Sequence, residues 1–168
     1  MNPAEDLDIL TQQEALLRFT AFNPDTAWQL GNRLRAALRA HNAGGPGEAP
    51  GATVEIELAG HLLFACATPG ATPGQADWVR RKRNIVRRFA RSSYAIGRTL
   101  ERDGDTLESR HGLTLTDYAA HGGGFPLWIV DTGCVGSIIV SGLPQRDDHN
   151  LVVTTIAEHL GIAIPHLA

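Results

Sequence analysis

The strongest constraint on the fold is the stretch of residues 121–153, which contains two short apolar runs close together. The runs cover residues 125–130 and 135–140, and only residues 131–134 separate them. A connection this short, containing a glycine free to take a positive φ, is typical of a hairpin between adjacent antiparallel strands. The second run stops at residues 141–144, Ser-Gly-Leu-Pro, because glycine and proline disfavour a continuing strand.

The rest of the chain predicts helices and one further hairpin. Alternating apolar and acidic residues at 54–58, a turn, and the apolar run 61–67 predict that hairpin. Three- and four-residue spacing of apolar side chains predicts helices over about 24–41, 77–100 and 147–160, the last capped by Asp147 or Asp148, with a glycine-rich loop at 41–51. Residues 16–19 are a possible fifth strand. The predicted class is α+β, an antiparallel sheet flanked by helices.

Length and composition fit one soluble domain with no global affinity for nucleic acid. The chain has 168 residues and a formal net charge of −3. We predict an N-terminal arm at residues 1–15 and a single domain at residues 16–168. No apolar run is long enough to span a membrane, and the acidic N-terminus does not resemble a signal peptide. Cys66 and Cys134 lie in strand-like contexts that favour reduced thiols, so a cytoplasmic location is predicted.

Positive charge is concentrated on the predicted helix 77–100, which holds eight of the fifteen Lys and Arg residues. Most of these side chains are expected to be solvated. Lys82, the only lysine, differs because its spacing from Trp78, Ile85 and Val86 places it on the stripe that should meet the sheet. Two interpretations remain open, a lysine stem that snorkels to the sheet edge or a cation in a pocket that accepts a carboxylate or phosphate.

No complete catalytic or metal-binding motif occurs. His121-Gly122-Gly123-Gly124 has the letters of a hydrolase oxyanion loop, but no Gly-x-Ser-x-Gly elbow follows. Ser141, Asp148 and His149 are residue types of a triad, yet neighbours on a helix point about 100° apart, so Asp148 is poorly placed to orient His149. No zinc spacing and no nucleotide-binding glycine motif is present. The glycines either let the backbone bend or a neighbouring segment approach closely, or they offer amides to an anion. One His or Tyr118 suffices to ligate haem iron.

Three segments together resemble a known family. They are DWVRRKRN at 77–84, DYAAHGGGFP at 117–126 and VSGLPQ at 140–145, followed by Asp148 and His149. The sequence resembles uncharacterised protein family 0303, a branch of the haem-degrading HbpS-like and GlcG-like superfamily, over nearly the whole chain. The resemblance implies a profilin-like fold with a five-stranded antiparallel sheet, and it implies homo-oligomers. It implies haem chemistry by family name, without an axial ligand that can be assigned to a position here.

These observations predict a homo-oligomeric protein that binds a small molecule between the 77–100 helix and the 121–149 segment. The ligand is expected to be haem or another anionic compound. The predicted ligand-binding residues are Trp78, Arg81, Lys82, His121, Gly122, Gly123, Phe125, Ser141, Gly142, Asp148 and His149. No catalytic or metal-ligating residue is predicted, and neither nucleic acid nor a membrane is expected as a partner. The alternative is a structural or partner-binding homo-oligomer without a small ligand.

Overall fold

A four-stranded antiparallel sheet lies at the centre of the structure, a computed structural model that describes residues 2–42 and 51–167. The strands are β1 (Thr53–Leu58), β2 (His61–Ala67), β3 (Gly124–Ile129) and β4 (Gly133–Ser141), in the order β2-β1-β4-β3. The helices are α1 (Pro3–Leu16), α2 (Pro24–Asn42), α3 (Pro73–Phe89), α4 (Ser93–Asp103), α5 (Leu107–His111) and α6 (Gln145–Leu160).

Both predicted hairpins are confirmed. β1 pairs with β2, and β3 pairs with β4. The two hairpins join through antiparallel pairing of β1 with β4, in which Thr53 lies opposite Ser141 and Leu58 lies opposite Gly136. The α+β class is therefore confirmed.

The prediction of a fifth strand is wrong for the part of the chain that the structure describes. Phe19 forms only a single parallel bridge with Ile129, in which its N–H donates to Trp128 O at 2.9 Å and its carbonyl accepts from Val130 N at 2.9 Å. The segment cannot extend this pairing because α1 ends at Leu16 and α2 begins at Pro24. Helical termini on both sides leave too few extended residues for a strand.

Helices cover the sheet on both faces. α2 and α6 pack on the face that presents Val54, Ile56, Ile138 and Val140, and this side holds the largest hydrophobic cluster. Burying a side chain of this size contributes about 1.5–3 kcal/mol. α3 packs on the opposite face through a smaller cluster of Val79, Val86 and Ile139. The smaller cluster leaves room on the α3 side for polar groups.

The predicted helix 77–100 is wrong as one continuous element. It is two helices, α3 and α4, separated at Ala90, which takes a left-handed conformation with φ 50° and donates its N–H to Val86 O. Ser92 then caps α4 by accepting from Ala95 N. The predicted shortening at Gly97 does not occur, because Gly97 lies inside α4. The break redirects the chain, so that only α3 crosses the sheet beside the candidate site.

The predicted N-terminal arm contains helix α1, which lies against α4. Leu7 and Leu10 are buried with Tyr94 and Ala95. Polar contacts reinforce this packing, because the buried Asp6 carboxylate is paired with Arg98 and Arg146.

Most of the glycine-rich loop predicted at residues 41–51 lies outside the described residues. In the parts of the chain that the structure covers, no helix combines the length and apolar character of a membrane span.

Candidate functional site

The floor of the candidate site is a buried ion pair between α3 and α6. Lys82 Nζ lies 2.8 Å from Asp148 Oδ2 and 3.0 Å from the carbonyl oxygen of Val140. The side chains of Lys82 and Asp148 are 3% and 1% exposed. Helix periodicity places Lys82 on the buried face of α3 with Val79, Ile85 and Val86, as predicted from the sequence. The structure therefore brings together two predicted residues that are distant in the chain.

The Asp148 carboxylate also fixes the turn between β4 and α6. Its Oδ1 accepts from Leu143 N at 3.0 Å, and its Oδ2 accepts from Gly142 N at 3.3 Å. Asp148 does not occupy the N-cap position, which belongs to Pro144. The carboxylate thus receives donors from the strand end and from Lys82, which gives a buried anion several compensating hydrogen bonds.

The triple glycine shapes the packing around this pair. A Cβ on Gly122 would lie 1.7 Å from Gln145 O, and one on Gly123 would lie 2.2 Å from Val140 O and 3.0 Å from Lys82 Nζ. Gly123 also has a φ of 109°, a conformation that L side chains rarely adopt. Gly122 and Gly123 are buried. Close approach of the backbone, the first of the two interpretations, therefore accounts for both residues.

A cleft of about 250 Å³ opens above the ion pair. Its lining residues come from the start of α3, the segment before β3 and the turn into α6. They are Gln75, Trp78, Lys82, His121, Ser141, Gly142, Leu143, Gln145 and Asp148. Six of these were predicted from the sequence as ligand-binding residues, namely Trp78, Lys82, His121, Ser141, Gly142 and Asp148.

Aromatic rings form one rim of the cleft. The rings of Trp78 and His121 meet edge to face with 5.2 Å between centroids. The Arg81 guanidinium lies over the Trp78 ring at 4.4 Å from its centroid, a favourable cation–π geometry. Arg81 is thus attached to the rim through Trp78 and is not among the lining residues.

Burial and charge act in opposite directions on the ion pair. Burial lowers the pKa of the Lys82 ammonium, and the charge and hydrogen bond of Asp148 oppose that shift. Burial likewise raises the pKa of the Asp148 carboxyl, and Lys82 together with the two backbone donors opposes it. The pKa of His121 is lowered by burial first and then by the charges of Lys82 and Arg81, which favours the neutral imidazole.

Five predicted ligand-binding residues do not line the cleft, namely Arg81, Gly122, Gly123, Phe125 and His149. Of these, Phe125 and His149 are core residues. Phe125 is 1% exposed and belongs to the large core cluster. His149 is 1% exposed, and its Nε2 lies 2.9 Å from Gln13 Oε1. Because Gln13 Nε2 donates to Pro165 O, its oxygen accepts, and His149 is the Nε2–H tautomer. Burial lowers the pKa of His149 to about 3, so it is a neutral core residue joining α6 to α1.

Three lining residues were missed, namely Gln75, Leu143 and Gln145. Gln75 completes a capping box with Thr72 at the start of α3 and also donates to Gly51 O. The Thr-Pro-Gly-Gln sequence at 72–75 is a readable helix-start signal, and it would have moved the predicted start of this helix from Asp77 to Pro73. Gln145 and Leu143 follow the predicted strand end directly, so proximity to Gly142 was the available signal.

Not all arginines of α3 form the solvated face that was expected. Arg83 pairs with Glu55 and Glu57, and Arg87 pairs with Glu57, whose side chain is only 6% exposed. These acidic residues alternate with the apolar residues of β1, so they face α3 while Val54 and Ile56 face α2. The charged contacts anchor α3 on the sheet next to the cleft.

No group of three or more His, Cys, Asp or Glu side chains within the described ranges is arranged to hold a metal ion. His121, at the rim of the cleft, has no hydrogen-bond partner on either ring nitrogen among the residues described. A single imidazole of this kind is sufficient for haem iron, which takes its other ligands from the macrocycle.

The fold and the site define an α+β protein in which one antiparallel sheet, covered by helices, carries a small polar cleft over a buried Lys–Asp pair. The chain belongs to the haem-degrading protein HbpS-like family, whose model matches residues 22–157. A relative in Serratia proteamaculans, called a UPF0303 protein, is 50% identical over 165 residues and covers 98% of each chain. The family resemblance predicted from the sequence is confirmed.

Solved structures show the same fold. The crystal structure of the Ybr137w protein superposes with a TM-score of 0.83 at 25% identity, covering 92% of this chain and 87% of that one. The crystal structure of a PduOC–haem complex superposes with a TM-score of 0.66 at 18% identity, covering 88% of this chain and 99% of that one. At that identity the second likeness concerns the fold alone.

Proposed function

We propose that the chain is a binding protein for a small anionic ligand, held in the cleft between α3 and the turn that joins β4 to α6. The observation that carries this proposal is the Ser141 hydroxyl. Ser141 is only 5% exposed and lines the cleft, and its hydroxyl has no hydrogen-bond partner among the described residues. A hydroxyl that lines a cleft and has no protein partner is available to donate a hydrogen bond to a ligand or a water there.

The start of α6 supplies further donors at the same place. Its N-cap is Pro144, which gives no side-chain hydrogen bond, and Gln145 follows in the cleft wall. The first N–H groups of a helix have no intrahelical acceptor and carry a partial positive charge that favours anions. Because the carboxylate of Asp148 already balances the charge of Lys82, we assign binding of the anion mainly to these donors and to Ser141. Lys82 contributes a hydrogen-bond donor at the floor.

Haem is the leading candidate ligand, and the rim residues are chemically suited to it. The cleft of about 250 Å³ is smaller than the roughly 300–1,000 Å³ of sites that enclose drug-sized ligands. The cleft would therefore hold no more than a carboxylate of haem, and the rim residues would contact the rest of the group. Trp78 offers an aromatic surface there, and His121 offers a neutral imidazole for iron. The family name and the haem complex of PduOC support this choice.

Titration of the purified protein with haemin tests the proposal. We expect a saturable Soret shift at micromolar haemin, and we expect His121→Ala to weaken binding by about tenfold or more, which corresponds to roughly 1.4 kcal/mol. The matched control is His166→Ala, because His166 is an exposed histidine that lies outside both the cleft and β2. Absence of a saturable shift in the wild-type protein removes haem, and equal losses in the two variants remove the assignment to His121.

A second candidate function, assembly with further copies of the chain, is favoured by the free edge of the sheet. β2 lies at that edge, and its seven residues include no Asp, Glu, Lys, Arg or Pro. Leu62 on β2 is 59% exposed, and the nearby Trp28, which contacts the Phe64 ring, is 64% exposed. Open edges without charges or proline are templates for pairing with another strand. We propose that β2 is the contact between copies.

Sedimentation velocity with one edge substitution tests this assembly. We expect the wild-type chain to sediment as an oligomer and Leu62→Lys to sediment as a smaller species, because a lysine on an edge strand opposes strand pairing. Leu115→Lys is the control, since Leu115 is 53% exposed and lies outside the sheet. A wild-type monomer at tens of micromolar, or equal effects of the two substitutions, would contradict the proposal.

A further inference from the structure

The single lysine of the chain lies beside a carboxylate at the floor of the cleft. The chain has fifteen Lys and Arg residues, and all except Lys82 are arginine. Arginine stays protonated in proteins, whereas a buried lysine can lose its proton and become a nucleophile. The chemistry open to Lys82 is therefore closed to every other cationic side chain of this protein.

The surroundings of Lys82 supply a proton acceptor. Asp148 Oδ2 lies 2.8 Å from Nζ, and the carbonyl oxygen of Val140 lies 3.0 Å away. These two acceptors account for two of the three N–H bonds of the ammonium. Lys82 is otherwise buried by α3 and the sheet, and it also lines the cleft. A small molecule in the cleft thus meets the amine beside a carboxylate that can take its proton.

We propose that Lys82 captures a small 2-oxo acid in this cleft as an imine. This inference rests on the proposed function, because it places the ligand's carboxylate at the anion site formed by Ser141 and the start of α6. The carbonyl carbon, one bond from that carboxylate, then faces Lys82. A 2-oxo acid matches the cleft because its carboxylate suits the anion-binding donors at the wall and its carbonyl suits the amine at the floor.

Lys82 and Asp148 together supply every proton transfer that imine formation requires. Lys82 transfers a proton to Asp148, and the neutral amine attacks the carbonyl carbon, forming a C–N bond while the carbonyl oxygen takes a proton from Asp148. The nitrogen of the resulting carbinolamine returns a proton to Asp148. The hydroxyl then leaves as water with that proton, and the C=N bond of a protonated imine forms. No oxidant or reductant is needed.

Desolvation favours the first step. Burial lowers the pKa of Lys82 and raises the pKa of Asp148, and both shifts favour the neutral amine beside the neutral acid. The hydrogen bond of 2.8 Å already joins the two atoms between which the proton moves. A 2-oxo acid carries one negative charge, on its carboxylate, and the donors at the cleft wall can compensate this charge.

Reductive trapping with pyruvate and sodium cyanoborohydride tests the proposal on the intact protein at pH 7. The modified amine is identified by intact mass and peptide mapping, which is simple because Lys82 and the α-amino group are the only primary amines. We expect Lys82 to be alkylated about tenfold faster than N-acetyl-lysine in the same solution, because binding of the carboxylate in the cleft holds the carbonyl carbon next to the amine. A rate equal to or below that of N-acetyl-lysine overturns the proposal.

The Ser141→Ala variant separates capture of the carbonyl from recognition of the carboxylate. Loss of one hydrogen bond to a charged group should slow alkylation by pyruvate about tenfold, while alkylation by acetaldehyde, which has no carboxylate, should stay within about twofold if the amine is intact. Equal slowing with both carbonyls overturns the assignment of the carboxylate. Saturable binding of haemin without modification of Lys82 would overturn only the proposed imine. Alkylation of Lys82 without a Soret shift on addition of haemin would overturn only haem as the ligand.

Discussion

Replacing Asp148 by alanine lowers the free energy of unfolding by about 3–5 kcal/mol, the usual cost of leaving one partner of a buried ion pair unpaired. Lys82 would keep a charge with only the Val140 carbonyl as a strong acceptor, and Gly142 N and Leu143 N would lose their acceptor. Urea unfolding at pH 7 measures the loss. Burial favours the neutral form of Lys82, and the neutral amine needs no charged partner. We therefore expect the difference in urea midpoint between wild type and variant to be smaller at pH 9 than at pH 7.

Two variants control this experiment. Asp77→Ala removes a partner of Arg80 from an exposed pair with side chains 38% and 52% exposed, and it should cost far less than Asp148→Ala because water screens exposed ion pairs. Lys82→Met combined with Asp148→Asn removes both charges while keeping an acceptor for the turn. Its loss should therefore be well below the sum of the two single losses. Additive losses, or a cost for Asp148→Ala no larger than that for Asp77→Ala, would show that the pair does not hold α3 to α6.

Lowering the pH destabilises the protein through His149 before most carboxylates titrate. Burial is the main cause that lowers the pKa of this imidazole from 6.5 to about 3, and the charge of Arg146 adds to it. Above pH 6.5 neither state binds the proton, so the full stability is present. Between pH 6.5 and 3 the unfolded chain binds it and the folded chain does not, so stability falls by about 1.4 kcal/mol per pH unit, or about 2 kcal/mol from pH 6.5 to pH 5.

The matched variant is His149→Gln, whose amide can still donate to Gln13 but does not titrate. We expect its free energy of unfolding to vary less between pH 6.5 and pH 5, by about 2 kcal/mol, than that of the wild type. The comparison isolates His149 because His121 and His159, whose pKa values are also lowered by burial, remain in both proteins. Identical pH profiles for the two proteins would show that His149 is accessible to protons in the folded state.

The parts of the fold that local sequence determines were predicted well. Each hairpin consists of two neighbouring runs and a short turn, so its pairing is encoded within one short segment, residues 53–67 or residues 124–141. The buried position of Lys82 followed from helix periodicity alone. The break after α3 could not be read in the same way, because its geometry depends on α1, where Glu14 accepts from Ser92 N and pairs with Arg91. A contact between distant segments overrode the local helical pattern.

The candidate site was likewise predictable where local sequence determines it and not where distant segments meet. Trp78, Lys82 and His121 were predicted, but the partner of Lys82 was not, since α6 reaches it only after the sheet has formed. His149 follows Asp148 directly but lies on a different side of α6, where its Nε2 contacts Gln13 of α1. Adjacent helical residues diverge by about 100°, so one could belong to the site and the other to the core. Sequence alone did not indicate which of the two faced α3.

The strand order β2-β1-β4-β3 has a consequence for how the chain is made. The central pairing of the sheet joins β1, from the first half of the chain, to β4, which ends at Ser141. During synthesis the first hairpin therefore leaves the ribosome long before its neighbour exists, with Val54 and Ile56 lacking the strand and helix that later bury them. Pairings between distant segments form slowly and leave apolar edges exposed meanwhile. The sheet is thus expected to close only after β4, residues 133–141, has left the ribosome.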